Sequence, residues 1–256
     1  MRQIVKKFLI IMTSCPNCLN QFSGNYCSNC GQKLITKRYT VLDSIHMVFN
    51  QVFNLERGIM FTLKELLVSP QKVTLDYING VTIKYFHPFR FLLVFASISA
   101  VLNYYFQSTD MVNEYFGLSG DQTEDTKKVG DIVNQNLTLI ILAAIPIFSF
   151  FTKLFYRKRD FNYTEHLIIN AYANGLSSAL GLITYIFYAI PSLVSVGIFL
   201  SSFLTFFVAG YVFSKTMKEN YFLSLFKYLF AFSLSLISLM FVGAIIGIAY
   251  KMITKI

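Results

Sequence analysis

From residue 89 onward, the chain contains five long segments in which nearly every position is apolar. The segments are residues 89–106, 137–155, 167–189, 193–213 and 225–250. A helix of roughly 20 residues is long enough to cross a hydrocarbon core of about 30 Å, because each residue adds about 1.5 Å. The pattern therefore predicts an all-α polytopic membrane protein with about five transmembrane helices.

The basic residues are unequally divided between the two sides of these predicted spans. Eighteen Lys and Arg residues lie on the side of the N-terminus, and four lie on the other side. Because cytoplasmic loops of membrane proteins are enriched in Lys and Arg, we expect a cytoplasmic N-terminus and an external C-terminus. Attraction to anionic lipid then explains the net charge of +9, and this disfavours nucleic acid as a partner.

The composition supports a membrane location. Hydrophobic residues make up 55% of the chain and charged residues 14%, and the mean hydropathy is +0.54. Soluble domains contain about 25% charged residues, so this chain could not cover a globular surface with polar groups. The same numbers exclude intrinsic disorder, and they make the lipid bilayer the main expected partner.

The remaining chain divides into three parts. We expect an N-terminal leader at residues 1–14, a ribbon at 15–36 and a cytoplasmic segment at 37–88, followed by the transmembrane domain at 89–256. The apolar run Phe8–Met12 is too short for a signal peptide. Within the cytoplasmic segment, residues 44–67 have the spacing of an amphipathic helix that ends at Ser69-Pro70. This helix either packs on the bundle or lies in the headgroup plane, and both alternatives stay open.

The four cysteines of the chain form one motif near the N-terminus. Cys15, Cys18, Cys27 and Cys30 follow the spacing Cys-x2-Cys, eight residues, Cys-x2-Cys. This spacing is typical of a zinc ribbon, in which two turns supply four thiolates to one tetrahedral Zn²⁺. We expect residues 22–26 to form two short strands around a turn, with their aromatic side chains over the metal. Four protein ligands leave no open position for a substrate, so the predicted zinc is structural.

Other chemistry is less well supported. The third predicted span carries a polar stripe, Asn170, Asn174 and Ser178, beside a stripe of small residues. Helix packing is the favoured interpretation of both stripes, and a polar pathway is the alternative. The predicted spans contain no acidic residue, which argues against ion-coupled transport. Three scattered histidines without a nucleophile motif predict interfacial anchoring, not an enzyme.

Two sequence segments also resemble a known family. The first is Tyr26-Cys-Ser-Asn-Cys-Gly-Gln-Lys33, and the second runs from Ser69-Pro70 through Asn79-Gly80 to the stretch that starts at Lys84-Tyr85-Phe86-His87-Pro88. They resemble the bacterial membrane family known as domain of unknown function 3667, common in Bacteroidota. The resemblance implies an N-terminal zinc ribbon and several membrane helices, but no established activity. Val81-Thr82 departs from it where a basic residue is expected. The span count is more loosely similar to Yip-type five-span proteins.

These observations lead to one functional hypothesis and one alternative. We expect a non-enzymatic adaptor or organiser in the bacterial inner membrane, which docks a cytoplasmic protein or a second copy of itself through the zinc ribbon. The alternative is a small-molecule or lipid transporter that uses the polar residues of the third span.

Overall fold

A computed structural model describes residues 13–34, 40, 58–106, 137–157 and 160–254. Most of the predicted leader, His46 and the first part of the predicted amphipathic helix lie outside these residues.

The N-terminal ribbon contains two short hairpins, one around each Cys-x2-Cys pair. Strand β1 (Thr13–Ser14) pairs antiparallel with β2 (Gln21–Phe22), and an isolated bridge joins Tyr26 to Lys33. The prediction of two strands within residues 22–26 is therefore wrong. The strands instead flank the cysteine pairs, because each metal-binding turn reverses the chain and brings its own flanking residues together.

Among the described residues between the ribbon and the bundle are two short helices. Helix α1 (Ile59–Val68) ends at Ser69, and α2 (Pro70–Ile78) begins immediately afterwards with Pro70 in its first turn. Proline is accepted there because the first N–H groups of a helix have no partner within the helix. Leu66 of α1 is fully buried against the bundle, while Met60 is 68% exposed. The described part of the predicted amphipathic helix therefore packs on the bundle.

In the part of the chain that the structure describes, five longer helical segments form the bundle. They are α3 (Pro88–Phe106), α4 (Leu137–Phe155), α5 (Tyr163–Gly181, continued by a 3-10 turn and the short α6, Tyr185–Tyr188), α7 (Val194–Met217, preceded by a 3-10 turn at Pro191–Leu193) and α8 (Tyr221–Thr254). By length and composition, four of them can cross a membrane: Pro88–Phe106, Tyr163–Tyr188, Pro191–Met217 and Tyr221–Phe241. The second predicted span, residues 137–155, corresponds to α4, whose apolar part Leu142–Phe155 is shorter than these four. The predicted fold class is thus confirmed.

Helix α5 lies at the centre of the bundle. In its candidate membrane-spanning stretch, 67% of the residues are buried within the protein, compared with 22–28% in the other three candidate spans. The small residues of α5 permit this close packing. A Cβ atom on Gly175 would lie 2.6 Å from Phe91 Cδ1 and 3.2 Å from Leu92 Cα. The stripe of small residues is therefore a contact surface for α3, as the packing interpretation predicted.

Tyrosine hydroxyl groups connect the helices in this tryptophan-free chain. Six hydroxyl groups of the described tyrosines donate hydrogen bonds to main-chain carbonyl oxygens of other segments: Tyr156 to Ser224, Tyr163 to Pro146, Tyr172 to Phe86, Tyr185 to Ser99, Tyr211 to Leu67 and Tyr221 to Phe207. In an apolar environment, such bonds keep the phenol oxygen satisfied while the ring fills space between helices.

Hydrogen bonds between segments also show which of them share one end of the bundle. The hydroxyl oxygens of Thr74 in α2 and Thr216 in α7 are 3.1 Å apart. Tyr211 reaches α1, Tyr172 reaches the residues before α3, and Tyr156 joins the end of α4 to the start of α8. We call this end of the bundle, which also carries the ribbon, the ribbon end.

Candidate metal centre

The four cysteine sulfurs converge on one point in the ribbon. The Sγ atoms of Cys15 and Cys30 are 3.6 Å apart, as are those of Cys18 and Cys27, and all four lie within 4.8 Å of one another. Zinc–sulfur bonds of about 2.3 Å in a tetrahedron place the sulfurs about 3.8 Å apart. All four cysteines are free of disulfide bonds. This arrangement can hold a metal ion with a closed shell of four sulfur ligands.

The two halves of the centre repeat the same backbone turn. In the first half, Leu19 N–H donates to Cys15 O, and in the second, Gly31 N–H donates to Cys27 O, both at 2.9 Å. Leu19 and Gly31 therefore occupy equivalent positions, four residues after the first cysteine of each pair. Both have a left-handed backbone, with φ of 61° and 73°. Glycine adopts this conformation freely, whereas leucine does so at an energetic cost.

The protein environment affects the cysteine thiols differently. Burial raises the pKa of Cys15 to about 11. The pKa of Cys30 is lowered to about 6, because the side chain of Asn17 and the backbone of Gln32 form hydrogen bonds to its sulfur. The thiolate is the form that binds metal, so Cys30 is prepared to act as a ligand near neutral pH. A bound cation deprotonates its remaining thiol ligands by direct attraction.

Gln32, two residues after the last cysteine, joins the ribbon to the segment that precedes α3. Its side chain is 1% exposed. The Nε2 atom donates to Gly80 O at 2.7 Å and to Thr82 Oγ1 at 3.0 Å, as well as to the neighbouring Lys33 O. The Oε1 atom accepts from the backbone N–H groups of Thr82 and Ile83, both at 3.0 Å. We call these bonds to residues 80–83 the Gln32 latch.

The sequence led us to expect both aromatic side chains of residues 22–26 over the metal, but only one of them is buried with the cysteines. Phe22 is buried and packs with the cysteines, but Tyr26 is 61% exposed. Leu19 is 77% exposed. The ribbon therefore buries Gln32 against the bundle while it presents a leucine and a tyrosine to its surroundings.

The predicted polar stripe is found in the interior of the bundle, where α4 and α5 meet. Asn170 Nδ2 donates to Ser149 Oγ at 3.1 Å and to Thr152 Oγ1 at 2.8 Å. Asn174 Nδ2 donates to Asn170 O, and Tyr228 donates to Asn174 Oδ1 at 3.5 Å. Ser178 is half-buried. These amides bond across and along helices, which is how polar residues stabilise helix packing in membranes.

Helix α5 begins four residues earlier than the predicted span, and this brings Glu165 and His166 into it. Glu165 forms a capping box with Asn162, in which each side chain accepts a hydrogen bond from the backbone N–H of the other residue, at 2.7 and 2.8 Å. Glu165 therefore lies in the first turn of a membrane helix, whereas the predicted span, which began at residue 167, contained no acidic residue. His166 is fully buried, so it is not the interfacial anchor that its sequence position indicated.

The unusual position of Leu19 was not predicted, although the sequence contains a signal for it. When the two Cys-x2-Cys halves are aligned, Leu19 falls opposite Gly31, and this contrast is visible without coordinates. The role of Gln32 has no comparable signal, because its partners are backbone atoms about 50 residues away.

Fold and site together define the class of protein: a polytopic helical membrane protein with a four-cysteine ribbon packed on one end of its bundle. Residues 56–100 match the model of a family described as "Protein of unknown function (DUF3667)". The match confirms the resemblance drawn from the sequence over this segment, which includes α1, α2 and most of α3. No curated protein and no solved structure matches the chain.

Proposed function

We propose that this protein is a non-enzymatic adaptor of the bacterial inner membrane, and that its ribbon binds a structural zinc ion and docks a cytoplasmic protein. The observation that carries the proposal is the conformation and exposure of Leu19. A leucine at φ 61° with 77% of its surface exposed stabilises neither the local backbone nor a core.

Leu19 is best understood beside its counterpart Gly31. A left-handed conformation costs an L-residue about 1–2 kcal/mol, and glycine avoids this cost. The second half of the ribbon has glycine at this position, and the first half has an exposed leucine instead. Residues in strained backbone conformations concentrate at functional sites, and the exposure of Leu19 makes a contact role the best explanation of its strain. Leu19 and Tyr26 are both exposed on the ribbon, and we propose them as its contact residues for a partner with an exposed apolar patch.

The metal and the Gln32 latch make this surface rigid. A ribbon of this size has too small a core to fold alone, so metal binding supplies the free energy of folding. The latch then holds the folded ribbon against residues 80–83, in the segment that precedes α3. A rigid surface loses less conformational entropy when a partner binds, which favours docking.

The excess of Lys and Arg on the ribbon side supports a cytoplasmic position for the docking surface. In that position the ribbon projects from the ribbon end of the bundle, where α1 and α2 also lie.

The alternative, transport through the third span, has weaker support. The Asn170 amide is engaged between α4 and α5, where it acts as a packing group. The cavity beside Asn174 has a volume of about 140 Å³, which is below the roughly 300–1,000 Å³ of typical small-molecule sites. The adaptor hypothesis therefore takes precedence.

A substitution that improves the local backbone provides the sharpest test. Leu19→Gly relieves the left-handed strain and preserves all four cysteines, so we expect unchanged zinc content at one ion per chain. A photo-crosslinking residue in place of Tyr26 should capture one protein in intact cells, and Leu19→Gly should abolish that crosslink. The same crosslinker at exposed Ser23 is the position control.

Two results would contradict the proposal. If Leu19→Gly leaves the crosslink at Tyr26 unchanged, Leu19 is not part of a docking surface. If the full-length protein purifies without zinc, and Cys27→Ser with Cys30→Ser changes neither the fold nor the crosslink, the metal has no role in the ribbon.

A further inference from the structure

A groove with a volume of about 490 Å³ lies at the ribbon end, between the last turns of α4 and the start of α5. One wall is a single face of α4 and the residues just after it, with Phe150, Lys153, Leu154 and Arg157 at the helical spacing i, i+3, i+4, i+7. Phe161 and Tyr163 line the opposite wall. The volume falls within the range of small-molecule sites, about 300–1,000 Å³. Nothing in the proposed adaptor function uses this groove.

The groove combines apolar and cationic groups. Phe150 is 58% exposed and Leu154 is 40% exposed, so apolar surface faces outward from a membrane helix. Lys153 lies between them along the helix, Arg157 lies just after the helix end, and both are exposed. A molecule that fills the groove therefore contacts an apolar wall and two cationic groups.

The cationic part is held at the helix end. Arg157 Nε donates to Leu154 O at 3.0 Å, which anchors the guanidinium group beside the end of α4. Lys153 lies in the last turn of α4 and Arg157 lies just after the helix ends, and both side chains line the groove. Asp160 is the one acidic residue among the lining residues, so the groove keeps a positive balance.

We propose that this groove binds the phosphate group of an anionic phospholipid, with the start of an acyl chain against Phe150 and Leu154. Basic pockets between membrane helices are suited to lipid head groups, because the phosphate is attracted to Lys and Arg while the chain stays in the apolar layer. The apolar wall is the reason to assign a lipid and not a free phosphate compound.

The test uses the full-length protein in a zwitterionic detergent, titrated with phosphatidylglycerol and followed by native mass spectrometry. Lys153→Gln combined with Arg157→Gln should weaken binding about fivefold for each lost charge, or roughly 30-fold together. The control is Lys215→Gln combined with Lys218→Gln, which removes the same charge from the end of α7 and should leave affinity unchanged within about threefold. Thermal melting of both variants establishes that they remain folded.

Three further outcomes decide the proposal. Binding of phosphatidylglycerol without comparable binding of phosphatidylcholine supports an anionic lipid site. Equal competition by soluble glycerol phosphate or inorganic phosphate would overturn the assignment to lipid, since the acyl chain would then contribute nothing. Equal loss of binding in both double variants would also overturn it, since net charge alone would account for the effect.

Discussion

Replacement of Gln32 by alanine separates the ribbon from the bundle without touching a metal ligand. The change removes the latch, which consists of four hydrogen bonds to residues 80–83. A neutral hydrogen bond contributes about 0.5–1.5 kcal/mol net, and water can replace part of the loss at Ile83, which is 51% exposed. We therefore expect the ribbon to lose about 2 kcal/mol of docking free energy, which corresponds to a roughly 30-fold larger population of the open state.

Hydrogen exchange at the backbone amides of Thr82 and Ile83 measures that population directly. Both amides donate to Gln32 Oε1, so the wild-type protein should protect them, and Gln32→Ala should speed their exchange by roughly 30-fold. Gln21→Ala is the matched control, because Gln21 is the same residue type and is exposed on β2. Equal protection in wild type and Gln32→Ala, at equal metal content, would refute the latch.

Three other substitutions have defined outcomes. Gly175→Ala places a methyl group against Phe91 and should cost about 1–3 kcal/mol by thermal melting, whereas Gly181→Ala, with no atom within 4 Å of its Cβ position, should not destabilise. Burial, with a smaller effect of Arg90, lowers the pKa of His87 from 6.5 to about 4. The unfolded chain therefore binds this proton first, stability falls as the pH drops from 6.5 toward 4, and His87→Gln should reduce that fall in a melting series. Tyr172→Phe leaves the Phe86 carbonyl without its donor and should lower stability by about 1–2 kcal/mol, with no change in metal content.

The apolar runs of the sequence predicted the bundle helices well, because residues that face lipid or other helices must be apolar over nearly their whole length. Helix ends were predicted less well. Helix α5 begins at Tyr163, where the Asn162–Glu165 capping box starts it, although hydropathy alone placed the start at Leu167. Helix α8 extends over Tyr221–Thr254, beyond the apolar run 225–250 at both ends. Polar residues at a helix end contribute to the helix and not to the hydropathy signal.

The sequence predicted the four metal ligands of the candidate site, but it predicted neither the position of the hairpins around them nor the Gln32 latch. The spacing of the four cysteines indicates that the sulfurs meet, since each pair is confined to one turn. The position of the hairpins depends on backbone hydrogen bonds such as Cys15 N–H to Asn20 O, which no side-chain pattern records. The latch depends on a contact between residues about 50 positions apart. Long-range contacts of this kind leave no trace in the local periodicity of a single sequence.

The tyrosine bonds between helices have a consequence for how this fold can vary among related chains. Each of the six hydroxyl groups donates to a main-chain carbonyl, which every amino acid carries. A substitution at the accepting position therefore leaves the acceptor in place, and the two positions need not change together. Correlated substitutions would mark few of these contacts in an alignment. The helices of this bundle can thus diverge in sequence on the accepting side while the connections between them persist.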